Sequence, residues 1–139
     1  MTADKNQLRF FVDESSLGLG KALEAARKDT IHTGHKLIPE VPIGTPDELW
    51  IPEVAKRNLT VIGRDKKIRT KPAELRVFRD AGLRVFRIGG KTDLSTWDWL
   101  GRVVKHWPTM EAILEAEPDG PWMYVINATG VVPVPLPPD

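Results

Sequence analysis

The sequence predicts an α/β fold, a three-layer sandwich in which helices cover both faces of a central, mostly parallel sheet. Short apolar runs rich in β-branched and aromatic residues alternate with helical segments through residue 92. Pro and Gly residues lie in the segments that connect them. The 139 residues fit a single domain. We predict a core at about 8–92, a helix and strand extension at about 93–134, and a Pro-rich tail at 135–139.

Composition narrows the class of protein. Hydrophobic residues make up 41% and charged residues 28%, which is typical of a globular chain, and the formal net charge is only +1. The absence of cysteine excludes disulfides, a thiolate nucleophile and Cys-ligated metals. No apolar run approaches the roughly 20 residues that span a bilayer, and the N-terminus has no signal-peptide core. We expect a soluble, cytoplasmic protein with no membrane partner.

The first half of the chain contains most of the strand signals. Strands are predicted at 8–14, 29–35 and 59–63, with helices at 15–28 and 45–58. Ser15 or Ser16 can cap the first helix. Thr45 and Glu48 form a capping-box pattern around Pro46, which is expected at the first helical position. Pro52 is expected to kink or split the second helix.

The second half continues the alternation. A helix at 71–82 can end at Gly82, and a strand at 83–90 follows. The segment 95–120 is helical, with a break expected near Pro108. Residues 122–134 indicate either a strand pair around a turn or one strand with a ragged end.

Acidic residues follow two of the predicted strands. Asp13 and Glu14 end the first strand, and Asp65 follows the third. Asp47 lies in the first turn of the helix before the third strand, so its side chain can reach the same edge. In parallel sheets, ligands bind at this edge, beyond the carboxyl ends of the strands. Converging carboxylates repel one another unless a cation lies between them. Oxygen-only ligands favour Mg²⁺ or Mn²⁺, which can activate water and stabilise a phosphoryl oxygen.

Each acid also has a structural interpretation. Asp13 and Glu14 can simply end a strand and begin a helix. Asp47 interacts favourably with a helix dipole, by about 0.3–1 kcal/mol. Glu48 fits a capping box better than a metal site, and Asp65 can cap a turn. Only their joint placement at one edge favours a metal site.

The stretches "FFVDES" and "TPDELWIPEVAKRNLTVIGRD" resemble the PIN-domain nucleases, in particular the compact branch that includes VapC-type toxins. In that family an Asp ends strand one, a second opens a helix, and a third follows the next strand about eighteen residues later, as Asp13, Asp47 and Asp65 do here. The resemblance covers about residues 8–90. It implies Mg²⁺- or Mn²⁺-dependent RNA cleavage, a cognate antitoxin as protein partner, and the dimers common in the family.

Two departures from the family pattern concern the site. Many PIN domains have Thr or Ser two residues before the third acid, where this chain has Gly63. A family Glu from a mid-chain helix has no clear counterpart; Glu14 is the best substitute and Glu40 a poor second. The full ligand set therefore stays open, and with it whether the enzyme is active.

A basic segment surrounds the third acid. Residues 64–91 contain ten Lys and Arg residues against three acids, a local charge of about +7. A solvated face would explain this in a generic protein, but beside a carboxylate cluster it can hold a phosphate backbone. The residues expected to bind RNA are Arg64, Lys66, Lys67, Arg69 and Lys71.

Aromatic and histidine residues complete the candidates. Trp97, Leu100, Val104 and Trp107 share one helical face, interpreted as core, with an antitoxin or dimer surface as the alternative. Trp50 can pack under the site or touch a base. The spacing of His32 and His35 is interpreted as structural rather than as a zinc site.

Three functions remain open on the sequence. The first is a metal-dependent ribonuclease, a toxin of a toxin–antitoxin pair. The second is a catalytically weak or inactive module that binds RNA or protein, which Gly63 and the absent Glu would explain. The third is a receiver-type phosphoacceptor domain, whose pattern Asp13, Glu14, Asp65 and Lys91 superficially match.

Overall fold

The computed structural model describes residues 3–64, 71–90 and 94–137. Within these ranges ten regular elements follow one another, besides two short 3₁₀ helices at Lys5–Gln7 and Glu14–Ser16. In chain order they are β1 (Phe10–Val12), α1 (Leu17–Ala26), β2 (Thr30–His32), α2 (Asp47–Lys56), β3 (Thr60–Gly63), α3 (Pro72–Ala81), β4 (Arg84–Ile88), α4 (Thr96–Ala116), β5 (Trp122–Ile126) and β6 (Val131–Val134).

The strands form one six-stranded sheet in the order β2-β1-β3-β4-β5-β6. The first five are parallel, and β6 pairs antiparallel with β5, in register Ile126↔Val131. Two apolar cores lie on opposite faces of the sheet. One packs α2 and α3 around Phe11, Ile51 and Phe78, and the other packs α1 and α4 around Phe10. The predicted α/β/α sandwich is therefore confirmed.

The C-terminal segment is part of this sheet. β5 pairs with β4 from Arg84↔Trp122 to Ile88↔Ile126, and α4 packs on the same face as α1. Of the two alternatives for residues 122–134, the strand pair around a turn is correct. Among the described residues, no helix is both long and apolar enough to cross a membrane.

The start of α2 corrects the capping-box prediction. Pro46 is the residue before the helix rather than its first residue, and no side chain caps it. The Thr45 hydroxyl instead donates to the Pro42 carbonyl at 2.6 Å. Because the Thr45 hydroxyl bonds within that turn, it does not cap α2. The helix begins at Asp47, and the backbone N–H groups of Leu49 and Trp50 donate to the Pro46 carbonyl.

Neither internal proline divides its helix. α2 runs through Pro52, and α4 runs unbroken through Pro108, so the predicted break near Pro108 is wrong. Both prolines lie on exposed faces. A carbonyl that loses its N–H partner there, such as that of Val104 opposite Pro108, can be hydrated, while the buried face of the helix packs without interruption.

The core-facing side of α4 overlaps only in part with the predicted one: Leu100 and Trp107 pack against the core, as predicted, whereas Trp97 and Val104 do not. Trp97 is 78% exposed and Val104 58% exposed, whereas the buried residues are Trp99, Val103, His106 and Met110. The prediction failed for Trp97 and Val104 because both faces of the helix have aromatic and aliphatic residues at helical spacing, so periodicity does not decide which face is buried. Docking on the sheet selects the Trp99 face, and the role of Trp97 as a partner surface remains a prediction.

The histidines of the H-x-x-H pair are structural, as expected. His35 is buried; its Nδ1 accepts from the Leu37 N–H at 3.0 Å, and its Nε2 faces Glu24 Oε1 at 3.2 Å. His32 Nδ1 lies 2.8 Å from the Thr33 carbonyl oxygen. Both rings are therefore held by local protein groups.

Candidate active site at the carboxyl edge of the sheet

The candidate site lies where the strand order reverses. From β1 the chain steps outward to β2, then crosses back to β3 on the other side of β1. Ligand sites in such sheets form at this reversal, beyond the carboxyl ends of the strands. Asp13 directly follows β1, and Asp65 is the second residue after β3 in the sequence. The topology therefore puts the end of β1 beside the end of β3.

Asp13 is held tightly at this edge. Its side chain is 5% exposed, and Oδ1 accepts hydrogen bonds from the Ser15 backbone N–H at 3.2 Å and from the Ser15 hydroxyl. It is also the N-cap of the 3₁₀ helix Glu14–Ser16. The structural interpretation of Asp13 as a strand-to-helix cap is thus realised, in a geometry that also fixes the direction of its carboxylate.

Gly63 makes room for that carboxylate. A Cβ atom on Gly63 would lie 2.7 Å from Asp13 Oδ1 and 2.9 Å from both Cγ and Oδ2. Real Cβ atoms do not approach so closely, so no larger residue fits without moving Asp13. The missing Thr or Ser therefore has a physical reason in this chain. The hydroxyl beside the acid comes from Ser15 instead.

Arg64 does not extend toward solvent as an RNA ligand would. Its guanidinium stacks on Trp99, with Cζ 3.6 Å from the ring centroid. Nη2 donates to the Ser15 carbonyl at 2.8 Å, and Nε faces the same oxygen at 3.2 Å. The backbone N–H donates to Ser15 Oγ at 3.1 Å. These contacts argue against the predicted phosphate-binding role of Arg64.

Asp47 occupies the predicted position in the first turn of α2. Because α2 leads directly into β3, its first residue lies at the carboxyl edge of the sheet. Asp47 Oδ1 accepts from the indole Nε1–H of Trp50 at 2.7 Å. Trp50 is buried and packs beneath Asp47. This fits the predicted role of Trp50 under the site rather than the alternative of contacting a base.

The remaining acids are less tightly placed. Glu14 is exposed, and its Oε1 accepts from the Gly44 N–H at 3.0 Å, which ties the end of β1 to the loop before α2. Glu48 is exposed on α2. Within residues 3–64, 71–90 and 94–137, no three His, Asp or Glu side chains form a group that could hold a metal.

The central predictions lie partly beyond these ranges. Asp65, Lys66, Lys67 and Arg69 fall outside the described residues, as does Lys91 of the receiver pattern. Lys71 is described: it precedes α3, its side chain is 57% exposed, and Nζ lies 4.0 Å from Glu74 Oε1. It is therefore accessible to a polyanion.

The structure adds residues that sequence reasoning missed. Glu74 is buried in the first turn of α3, the next described helix after β3. Arg87 lies beside Gly63 in the β3–β4 register, one strand further from Asp13. Ser15 was considered only as a helix cap, and its contact with Asp13 depends on the 3₁₀ turn.

Other charged residues lie at the opposite edge. A cavity of about 560 Å³ there is lined by Arg9, Arg57 and Arg84, among others. Arg57 pairs with Glu40 at 2.9 Å, which places this substitute for the family Glu far from Asp13. Arg84 opens β4 and donates to the Asn58 carbonyl at 2.8 Å. The basic segment is thus divided between two edges.

Residues 8–90 match the family described as PIN like domain. The chain belongs to the PIN-like domain family. PIN domains are typically nucleases and generally use divalent metals, and the match names no toxin. Neither curated proteins nor solved structures gave a significant match. Family membership favours the nuclease and binding-module hypotheses over the receiver-type one.

Two described acids of this PIN-like domain have the donor type that a hard divalent cation prefers. Asp13 and Asp47 offer carboxylate oxygens, the ligand type that Mg²⁺ and Mn²⁺ prefer. The recess over Gly63, which a Cβ would fill, is where the Asp13 carboxylate lies. The chain therefore leaves space for an acid, rather than a hydroxyl, between β1 and β3.

Proposed function

We propose that this PIN-like domain is a metal-dependent endoribonuclease, with Asp13, Asp47 and Asp65 as the acids that hold Mg²⁺ or Mn²⁺. The observation that carries the proposal is the buried Asp13 carboxylate, directed by Ser15 and accommodated by Gly63 at the sheet reversal.

The chain contributes orientation and charge. Asp13 is fixed by Ser15, and Asp47 is fixed by the Trp50 indole, so neither needs to reorganise to accept a cation. A bound Mg²⁺ or Mn²⁺ supplies activation of a water molecule and stabilisation of charge on the phosphoryl oxygens. The net reaction consumes one water and breaks one P–O bond of the RNA backbone. Glu14, anchored to Gly44, is a further predicted ligand with a weaker expected effect.

The direct test uses purified protein and a mixed RNA pool. Cleavage should occur with Mg²⁺ or Mn²⁺, stop with EDTA, and fall to background in an Asp65→Asn variant, since the amide carries no negative charge. RNA fragments are resolved by gel electrophoresis. A wild type as inert as the variant, with RNA binding retained in both, would favour the binding-module function instead.

The RNA is proposed to lie across the basic residues that follow β3. Lys71 is exposed beside the edge, and Lys66, Lys67 and Arg69 adjoin it in sequence. Such contacts attract the phosphate backbone without reading base sequence. We leave Arg64 out of this proposed set, because its guanidinium contacts the Ser15 carbonyl and the ring of Trp99.

Charge reversal tests this RNA surface. A triple variant with Glu at positions 66, 67 and 69 in place of Lys66, Lys67 and Arg69 should bind single-stranded RNA more weakly. Each lost phosphate contact should also reduce the slope of log affinity against log salt by about 0.7. Fluorescence anisotropy in EDTA, at several salt concentrations, measures both effects. Charge reversal at Arg9 and Arg84, on the opposite edge, is the control, and equal losses in both variants would contradict the assignment.

We also propose a specific biological role for the nuclease, that of a toxin whose activity is inhibited by a cognate antitoxin. It derives from the resemblance to VapC-type toxins. The exposed Trp97 and Val104 on α4 offer an apolar strip that a protein partner, or a second copy in a homodimer, can cover.

A further inference from the structure

We infer that Arg64 is a positioning residue of the candidate active site, which acts through Ser15 to hold the carboxylate of Asp13. The inference rests on the proposed nuclease function and deepens it. It assigns Arg64 to the orientation of the acid rather than to the binding of phosphate.

The first connection runs through the backbone of Arg64. Its N–H donates to Ser15 Oγ at 3.1 Å, and the Ser15 hydroxyl donates in turn to Asp13 Oδ1. Because the oxygen accepts from Arg64, its own hydrogen is directed at the carboxylate. The Ser15 N–H adds a second bond to the same oxygen at 3.2 Å. Oδ1 is thereby oriented by a chain of donors that begins at the end of β3.

The second connection is the Arg64 side chain. Nη2 and Nε both point at the Ser15 carbonyl oxygen, at 2.8 and 3.2 Å, and Nε is 3.3 Å from Ser16 Oγ. The planar guanidinium lies on the buried ring of Trp99 in α4. It therefore clamps the 3₁₀ turn that carries Ser15 between β3 and α4. A lysine has the same charge, but neither the plane nor the paired donors.

The position of Arg64 in the chain links two of the proposed metal ligands. It directly follows Gly63, which leaves space for the Asp13 carboxylate, and directly precedes Asp65 in the sequence. Anchoring Arg64 thus fixes the distance between the end of β1 and the point where the chain continues to Asp65. A misplacement of about 1 Å in such a site can reduce turnover by about 100-fold.

The test compares Arg64→Lys, Ser15→Ala and Lys71→Gln. Arg64→Lys keeps the charge, so a phosphate-binding role predicts little change. A positioning role predicts a kcat lowered by about 10- to 100-fold and a weaker affinity for Mn²⁺ measured by electron paramagnetic resonance. RNA affinity in EDTA and its salt slope should stay unchanged. Ser15→Ala, which removes only the hydroxyl, should reproduce this pattern, whereas Lys71→Gln, at a proposed RNA ligand, should weaken RNA binding in EDTA and lower its salt slope.

A crystal structure of Arg64→Lys supplies a readout independent of activity. The inference expects the Asp13 carboxylate to leave its place over Gly63, and an unmoved Asp13 would overturn it even if the wild type neither cleaves RNA nor binds Mn²⁺. Wild-type kcat and wild-type Mn²⁺ affinity in Arg64→Lys would also overturn it, because the charge of the side chain alone would then be sufficient. An inert wild type with a displaced Asp13 in the variant would instead refute only the nuclease proposal.

Discussion

An Asp13→Asn variant is expected to lose RNA cleavage by at least about 100-fold while it remains folded. Asparagine is as good an N-cap as aspartate, and its oxygen can still accept from Ser15, so the substitution removes charge and little else. Loss of a metal ligand costs several kcal/mol of transition-state stabilisation, and each 1.36 kcal/mol is about tenfold in rate. The measurement is kcat/KM with Mn²⁺, together with thermal unfolding.

The matched control is Asp80→Asn, an exposed acid on α3. It should leave both cleavage and unfolding unchanged. A buried carboxylate has a desolvation cost that a buried amide lacks, so the melting temperature of Asp13→Asn should equal or exceed that of the wild type. Unfolding of this variant, with activity lost only in proportion to unfolded protein, would show that Asp13 is a structural cap and not a ligand.

A single methyl group at Gly63 should have a comparable effect on activity. In Gly63→Ala, the added Cβ lies 2.7 Å from Asp13 Oδ1, so the carboxylate or the strand must shift. We expect about a 100-fold loss of cleavage and a loss of unfolding free energy of about 1–3 kcal/mol. Gly63→Thr, which installs the residue type of many PIN domains, should lower activity further rather than restore it, because the space is already filled.

Gly101→Ala provides the control for adding a methyl group. Gly101 lies on the exposed face of α4, and no atom lies within 4 Å of its Cβ position. This substitution should stabilise the protein by about 0.5–1 kcal/mol through helix propensity, without affecting cleavage. Thermal unfolding and a cleavage assay at matched concentration compare the two variants. Wild-type cleavage by Gly63→Ala would contradict the proposed placement of Asp13.

Some residues of the candidate site could be predicted from sequence and others could not. Asp13 and Asp47 could be placed from sequence because each stands at an element boundary, after an apolar strand and in the first turn of a helix. Ser15 and Glu74 were missed, since their relation to the edge depends on a 3₁₀ turn and on how α3 packs. Arg64 was interpreted from sequence as an RNA ligand because a charge run indicates total charge, not which guanidinium lies on Trp99.

The sequence by itself determined the α/β order, the Gly82 helix end and the two acids at the ends of their elements, because these follow from local periodicity and backbone preference. The tertiary structure decided which face of α4 packs on the sheet, whether the helices continue through Pro52 and Pro108, and why Gly63 replaces a hydroxyl residue. Each of these depends on atoms distant in sequence that compete for the same space. The sequence pattern gives the type and spacing of each residue, whereas packing in the folded protein determines which other residues it contacts.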